Sequence, residues 1–208
     1  GNPSLGVSGY ELIVEKEVLI ENEASLKATR IHVKKESRVK GEVSYRDKLQ
    51  VDDGAVVSGV VRVLNAAGDW PLVVIAASPE CSPDAGRPVA VVKEGALTLS
   101  AGAYGEVSVG KGAEVVLTGG RYDVQSLEVE KEAKVYFAGA SEVCIAGRFY
   151  LGKDSVIRPA EGSGLKGADL VIHVNGGDGA GEMDEDDEGA AATLGKNSIM
   201  FGRVWALN

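Results

Sequence analysis

The chain has 208 residues and a net charge of −9, with 44% hydrophobic residues but only 5% aromatic ones. Its lysines are interleaved with glutamates, which excludes the basic stripe that nucleic-acid binding requires and argues against docking on anionic lipid. No apolar run reaches the roughly 18 residues of a membrane-spanning helix, and a core of Val, Ala, Leu and Ile with 28 Gly suits many short strands.

In chain order, residues 1–10 precede the first patterned segment and are expected to cap it. A short pattern then recurs: an apolar residue, a spacer, Val or Leu, three polar or Gly residues, a small residue, a spacer and an apolar residue. It begins at Leu12 (LIVEKEVLI), Ile31 (IHVKKESRV) and Leu49 (LQVDDGAVV). Residues 66–88 interrupt it with an apolar run, Leu72–Ala77, read as one buried strand followed by a loop. The pattern resumes at Ala90 (AVVKEGALT), Val107 (VSVGKGAEV), Leu127 (LEVEKEAKV) and Phe149 (FYLGKDSVI). Residues 160–169 read as a Gly-rich loop and Leu170–Val174 (LVIHV) as a strand. Residues 175–190 read as an acidic, solvated loop, and Ala192 (ATLGKNSIM) opens the last unit.

The anchors of these units are Val14, Val33, Val51, Val92, Val109, Val129, Leu151 and Leu194, with spacings of 19, 18, 41, 17, 20, 22 and 43. Two spacings are about double the others, so the period is about 20 residues. Four after each anchor stand Val18, Ser37, Ala55, Ala96, Ala113, Ala133, Ser155 and Ser198, seven of eight being Ala or Ser. A strand, a tight corner with a small inward side chain and a second strand would give this pattern. No sustained 3.6-residue apolar period is present. The expected fold is therefore all-β: a single-stranded parallel β-helix, or β-solenoid, of about nine or ten coils in one domain over residues 1–208, with irregular insertions at 66–88 and 175–190. The last unit carries no polar cap, so its edge is expected to continue a longer stack or to pair with another subunit.

VDDGAV, VGKGAE, VEKEAK, LGKDSV and LGKNSI fit the hexapeptide pattern of left-handed β-helix acyltransferases, but they occur about once per unit rather than in tandem. The layout resembles instead that of bactofilins, polymer-forming cytoskeletal proteins of bacteria. The stretch from LTGGRYDVQSLEVEKEAKVYFAGASEVCIAGRFYLGKDSVIRPAEG to ADLVIHVNG resembles exported bactofilin-like proteins. The resemblance implies a right-handed β-helix and polymerisation, and supplies no catalytic residue.

Candidate chemistry is sparse. His32 and His173 lie in alternating strand sequence, outside any nucleophile motif. Glu128, Glu130, Arg148, Lys153 and Arg158 could be assembled into a lyase-like acidic and basic face, yet mixed charge is also the ordinary outer surface of such a protein. No aromatic ladder accompanies Trp70 and Trp205. The acidic run Glu182, Asp184, Glu185, Asp186, Asp187 and Glu188 offers hard oxygen ligands of the kind that suit Ca²⁺, without EF-hand spacing. Cys81 and Cys144 read either as idle thiols or as a disulfide. The expectation is thus a non-enzymatic structural or scaffold protein with no catalytic, cofactor or metal residues. Its expected partner is itself or another protein, and its location extracytoplasmic, or cytoplasmic if it is a true bactofilin. A cell-surface carbohydrate-binding or carbohydrate-active protein is the alternative.

Overall fold

The structure, a computed structural model, describes residues 11–21, 24–63, 80–176 and 190–206. The N-terminal part holds β1 (Glu11–Val14), β2 (Leu19–Ile20), β3 (Ser25–Val33), β4 (Arg38–Val39), β5 (Glu42–Val51), β6 (Val56–Val57) and β7 (Val61–Val63). The middle holds β8 (Val89–Val91), β9 (Ala96–Leu99), β10 (Gly102–Val109), β11 (Glu114–Leu117), β12 (Gly120–Val129), β13 (Lys134–Phe137) and β14 (Ser141–Ile145). The rest follows as β15 (Phe149–Leu151), β16 (Val156–Pro159), β17 (Leu170–Val174), β18 (Ala192–Leu194), β19 (Ile199–Met200) and β20 (Arg203–Ala206). The expected strand at LVIHV is β17, and one 3-10 turn, Gly167–Asp169, precedes it. The apolar run 72–77 and the acidic run 182–188, with its suggested Ca²⁺ ligands, lie outside the described residues.

The pairing overturns the expected single-stranded solenoid. Eight parallel strands close into a ring in the order β1, β18, β15, β12, β14, β17, β20, β3 and back to β1, and a second sheet runs β6-β4-β2-β19-β16-β13-β11-β9. β10 and β8 extend the ring's sheet beyond β12, and β5 and β7 extend it beyond β3. The architecture is a closed parallel barrel plus a second sheet, not coils wound end to end in chain order. Two long strands make the closure. β12 pairs β14 through residues 120–124 and β15 through residues 127–129. β3 pairs β20 through residues 25–28 and β1 through residues 30–33.

The sequence shows how these strands serve two neighbours. Side chains alternate across a strand, so a change of inward phase marks a bend. In β12 the buried residues are Tyr122 and Val124, then Leu127 and Val129, with the phase slipping at Gln125 and Ser126. In β3 both Ala28 and Thr29 are buried, and the register to β5 shifts between Ala28 and Arg30.

The closure also removes the expected free edge at the last unit. β18 lies between β15 and β1, β19 between β16 and β2, and β20 between β17 and β3. Among the described residues the open ends lie elsewhere, at β6 and β7 on one side and β8 and β9 on the other.

Each tight corner has one residue in the left-handed region: Glu17, Glu36, Gly54, Glu94, Gly112, Glu132, Asp154 and Asn197, with φ between 57° and 81°. Acidic side chains there stand beside lysines of the same or neighbouring corners, with Lys196–Glu17 at 2.9 Å and Lys131–Glu132 at 3.1 Å. A left-handed non-glycine residue costs on the order of 1 kcal/mol. Glu36 is exposed and has no salt bridge of its own among the described residues. Glu36→Gly is therefore expected to raise stability by about 0.5–1 kcal/mol, after the entropy of glycine is subtracted, as read by urea denaturation.

The unit beginning near Ala90 needs a register correction. Val91, not Val92, pairs with Val109, so Val91 is buried while Val92 is 75% exposed. The small residue of that corner is Gly95, whose added Cβ would lie 2.8 Å from the Val92 carbonyl oxygen. Two adjacent valines offered either phase, and only the corner glycine distinguishes them.

The inward hydroxyls at the corners are not equivalent. Ser155 Oγ donates to the Glu130 carbonyl at 2.7 Å, and Ser37 Oγ donates to the Glu15 carbonyl. Ser198 Oγ is fully buried and has no hydrogen-bond partner among the described residues. Ser155→Ala is expected to cost about 1 kcal/mol, and Ser198→Ala to be neutral or to stabilise by up to about 1 kcal/mol. Parallel thermal melts of the two variants check this, and equal losses would refute it.

Candidate functional site

Outward positions of the ring's sheet bring polar groups into a row, because residues in register on parallel strands stand side by side. Asp123 on β12 pairs with Cys144 on β14, Cys144 with His173 on β17, His173 with Trp205 on β20, Trp205 with Lys27 on β3, and Lys27 with Ser44 on β5. Beside it run Arg121, Glu142, Val171 and Arg203.

At one end of the row Cys81 and Cys144 form a disulfide, with Cα atoms 5.4 Å apart. This resolves the two readings of the cysteines. It fastens residues 80–88 across the outer face of three strands. Ser82 N–H donates to Asp123 at 3.3 Å, the Arg121 guanidinium donates to the Glu80 carbonyl at 2.9 Å, and Gly105 N–H donates to the Arg87 carbonyl at 2.9 Å. Arg87 also lies 4.4 Å over the Tyr104 ring. Residues 80–88 thus form a strap from β14 to β8. Asp123, Cys81 and Cys144 place ligand-type atoms within 4.8 Å of one another, but the two sulfurs are bonded to each other and leave a single carboxylate. Arg121 holds that carboxylate below its usual range, chiefly by hydrogen bonding.

In the middle of the row, His173 Nε2 stands 3.8 Å from Glu142 and its ring meets Trp205 edge-on, with centroids 5.0 Å apart. Lys27 Nζ lies 5.8 Å over the Trp205 ring. Burial lowers the pKa of both His173 and Lys27; Glu142 opposes this for His173 and Glu42 for Lys27. A histidine depressed in the folded state binds fewer protons there than when unfolded, so stability falls as pH drops through the window below about 6.5. His173→Gln is expected to flatten that part of the stability–pH curve, measured by denaturation between pH 7 and pH 5. An unchanged slope would count against His173 as its source.

A second cluster sits on the other half of β3. His32 Nε2 is 2.9 Å from Asp52 Oδ1 and 3.1 Å from Gln50 Nε2. The hydrogen bond to His32 is the main cause lowering the Asp52 pKa. The His32–Asp52 pair is partly exposed on the surface.

The other charged candidates are not brought together. Glu128 is exposed on β12. Glu130 accepts from Lys111 N–H at 2.8 Å at a corner. Lys153 pairs with Asp154 at 3.7 Å, and Arg158 lies over Tyr136 at 5.3 Å on the second sheet. Arg148 is half-buried between β14 and β15. What sequence reasoning missed is the row itself: its members lie up to 178 residues apart, Lys27 to Trp205, and only the ring closure makes those two partners.

One further surface stands out. At the β6 and β7 end, Val51, Val56, Val60, Val61 and Val63 are 42–56% exposed. No family model, no curated protein and no solved structure matches the chain.

Proposed function

We propose that the chain is a non-enzymatic structural protein that assembles with itself or binds another protein through its open sheet ends. The observation that carries this is the β6 and β7 end. Its five exposed valines flank strands whose outer backbone groups have no strand partner among the described residues. An apolar, unpaired strand edge is a template for a further strand. The opposite end carries Val92 and Leu97, 75% and 37% exposed, so the two ends offer chemically similar surfaces. The disulfide supports an oxidising compartment.

The test is light scattering and negative-stain electron microscopy of native protein over a concentration series, with Val61→Lys and Val63→Lys as a paired variant. Assemblies that grow with concentration and are lost in the variant are expected. Discrete single particles at every concentration, with no partner captured by the end, would overturn the proposal. The carbohydrate alternative draws less support, because Trp205 is already engaged by Lys27 and His173.

A further inference from the structure

The closed ring is sealed by two stretches that are remote in sequence. Residues 11–63 contain β1 to β7, which pair with one another as β1-β3-β5-β7 and β2-β4-β6. Residues 80–206 contain β8 to β20. The two blocks meet at one seam: β1 on β18, β2 on β19 and β3 on β20. Leu12, Val14 and Ile20 face Ala192, Leu194 and Met200 there, all of them fully buried. Backbone bonds cross it from Glu15 N–H to the Leu194 carbonyl at 2.7 Å and from Leu19 N–H to the Ser198 carbonyl at 3.0 Å.

We infer that this seam is also an interface between two copies of the chain, formed when each copy docks its residues 11–63 on the β18–β20 edge of the other. The contacts would be those already present within one chain, so the exchange needs no new complementary surface. Chain length permits it. From β14, where the strap is fixed, to β7 is five strand steps, about 24 Å at the usual strand spacing. Val63 to Glu80 is 17 residue steps, a reach of about 56–61 Å when extended. The surplus is enough to carry the first block to a neighbouring molecule. The disulfide lies wholly within the second block and does not oppose exchange.

The test uses Ile13→Cys with Thr193→Cys, positions that are Cα partners across the seam. The variant is unfolded with its native disulfide intact and refolded dilute or concentrated. Concentrated refolding is expected to give a dimer of twice 21.6 kDa in which the engineered disulfide joins two chains. The dilute sample is expected to give a monomer with the link inside one chain. Links confined to one chain at every concentration would overturn the inference. Wild-type protein refolded as a mixture of ¹⁵N-labelled and unlabelled chains supplies a readout that does not depend on the new cysteines. By native mass spectrometry, mixed-label dimers should survive dilution, because separation requires the seam to open. Monomer only, or dimers that fall apart on dilution, would overturn it. Assembly through the β6 and β7 end forms without refolding and is sensitive to Val61→Lys, so the two ideas fail separately.

Discussion

Replacing both cysteines by alanine, Cys81→Ala with Cys144→Ala, is expected to lower the unfolding free energy by about 4 kcal/mol. The disulfide joins residues 63 apart, and closing a loop of that length removes a large share of the unfolded chain's freedom. Little else replaces it. Among the strap's other contacts are the bonds of Ser82, Arg121 and Arg87, the Asn175 amide on Cys81 Sγ and the stacking of Arg87 on Tyr104, each individually weak. Urea denaturation of the oxidised wild type, the reduced wild type and the double variant measures the loss. Hydrogen exchange should show residues 80–88 losing protection first. A loss under about 1 kcal/mol would mean that the strap holds its place without the covalent bond.

Leu12→Ala is expected to cost about 3 kcal/mol, because Leu12 is fully buried and truncation there leaves a cavity. Its distribution is the informative part. Leu12 pairs with Ala192 across the seam and with Ile31 within the first block, so the damage should fall on residues 11–63. Exchange rates measured by mass spectrometry should rise there while β10 to β14 keep their protection. A uniform rise across the chain would show that the seam is not a boundary between separately opening units.

Much of the strand inventory was legible in the sequence, because side-chain alternation and corner chemistry are local. The corner at Val129–Val135 could be read from VEKEAKV alone, and Ala133 is fully buried there as its small size predicts. The Val91/Val92 phase was misread because tandem valines satisfy either register. Successive units pair in chain order as the repeat implies, but the closure of the last units onto the first was not legible. A period of about 20 residues predicts which residues can pair with the next unit, but it is equally satisfied when the last unit pairs with the first. Leu194 stacks on Val14 as readily as on another anchor, since both are apolar residues in the same frame. The outward row from Asp123 to Lys27 inherits that blindness, as does the Cys81–Cys144 pair, which no spacing rule connects.

The seam also sets a schedule for biosynthesis. Leu12 and Ala192 are 180 positions apart, so at about 5–20 residues per second β1 waits roughly 10–40 s after its own synthesis for the strand that will flank it. Throughout that interval the apolar side of β1 has only β3 beside it. Slowing translation of the second half should therefore increase the share of chains that aggregates before the ring can close.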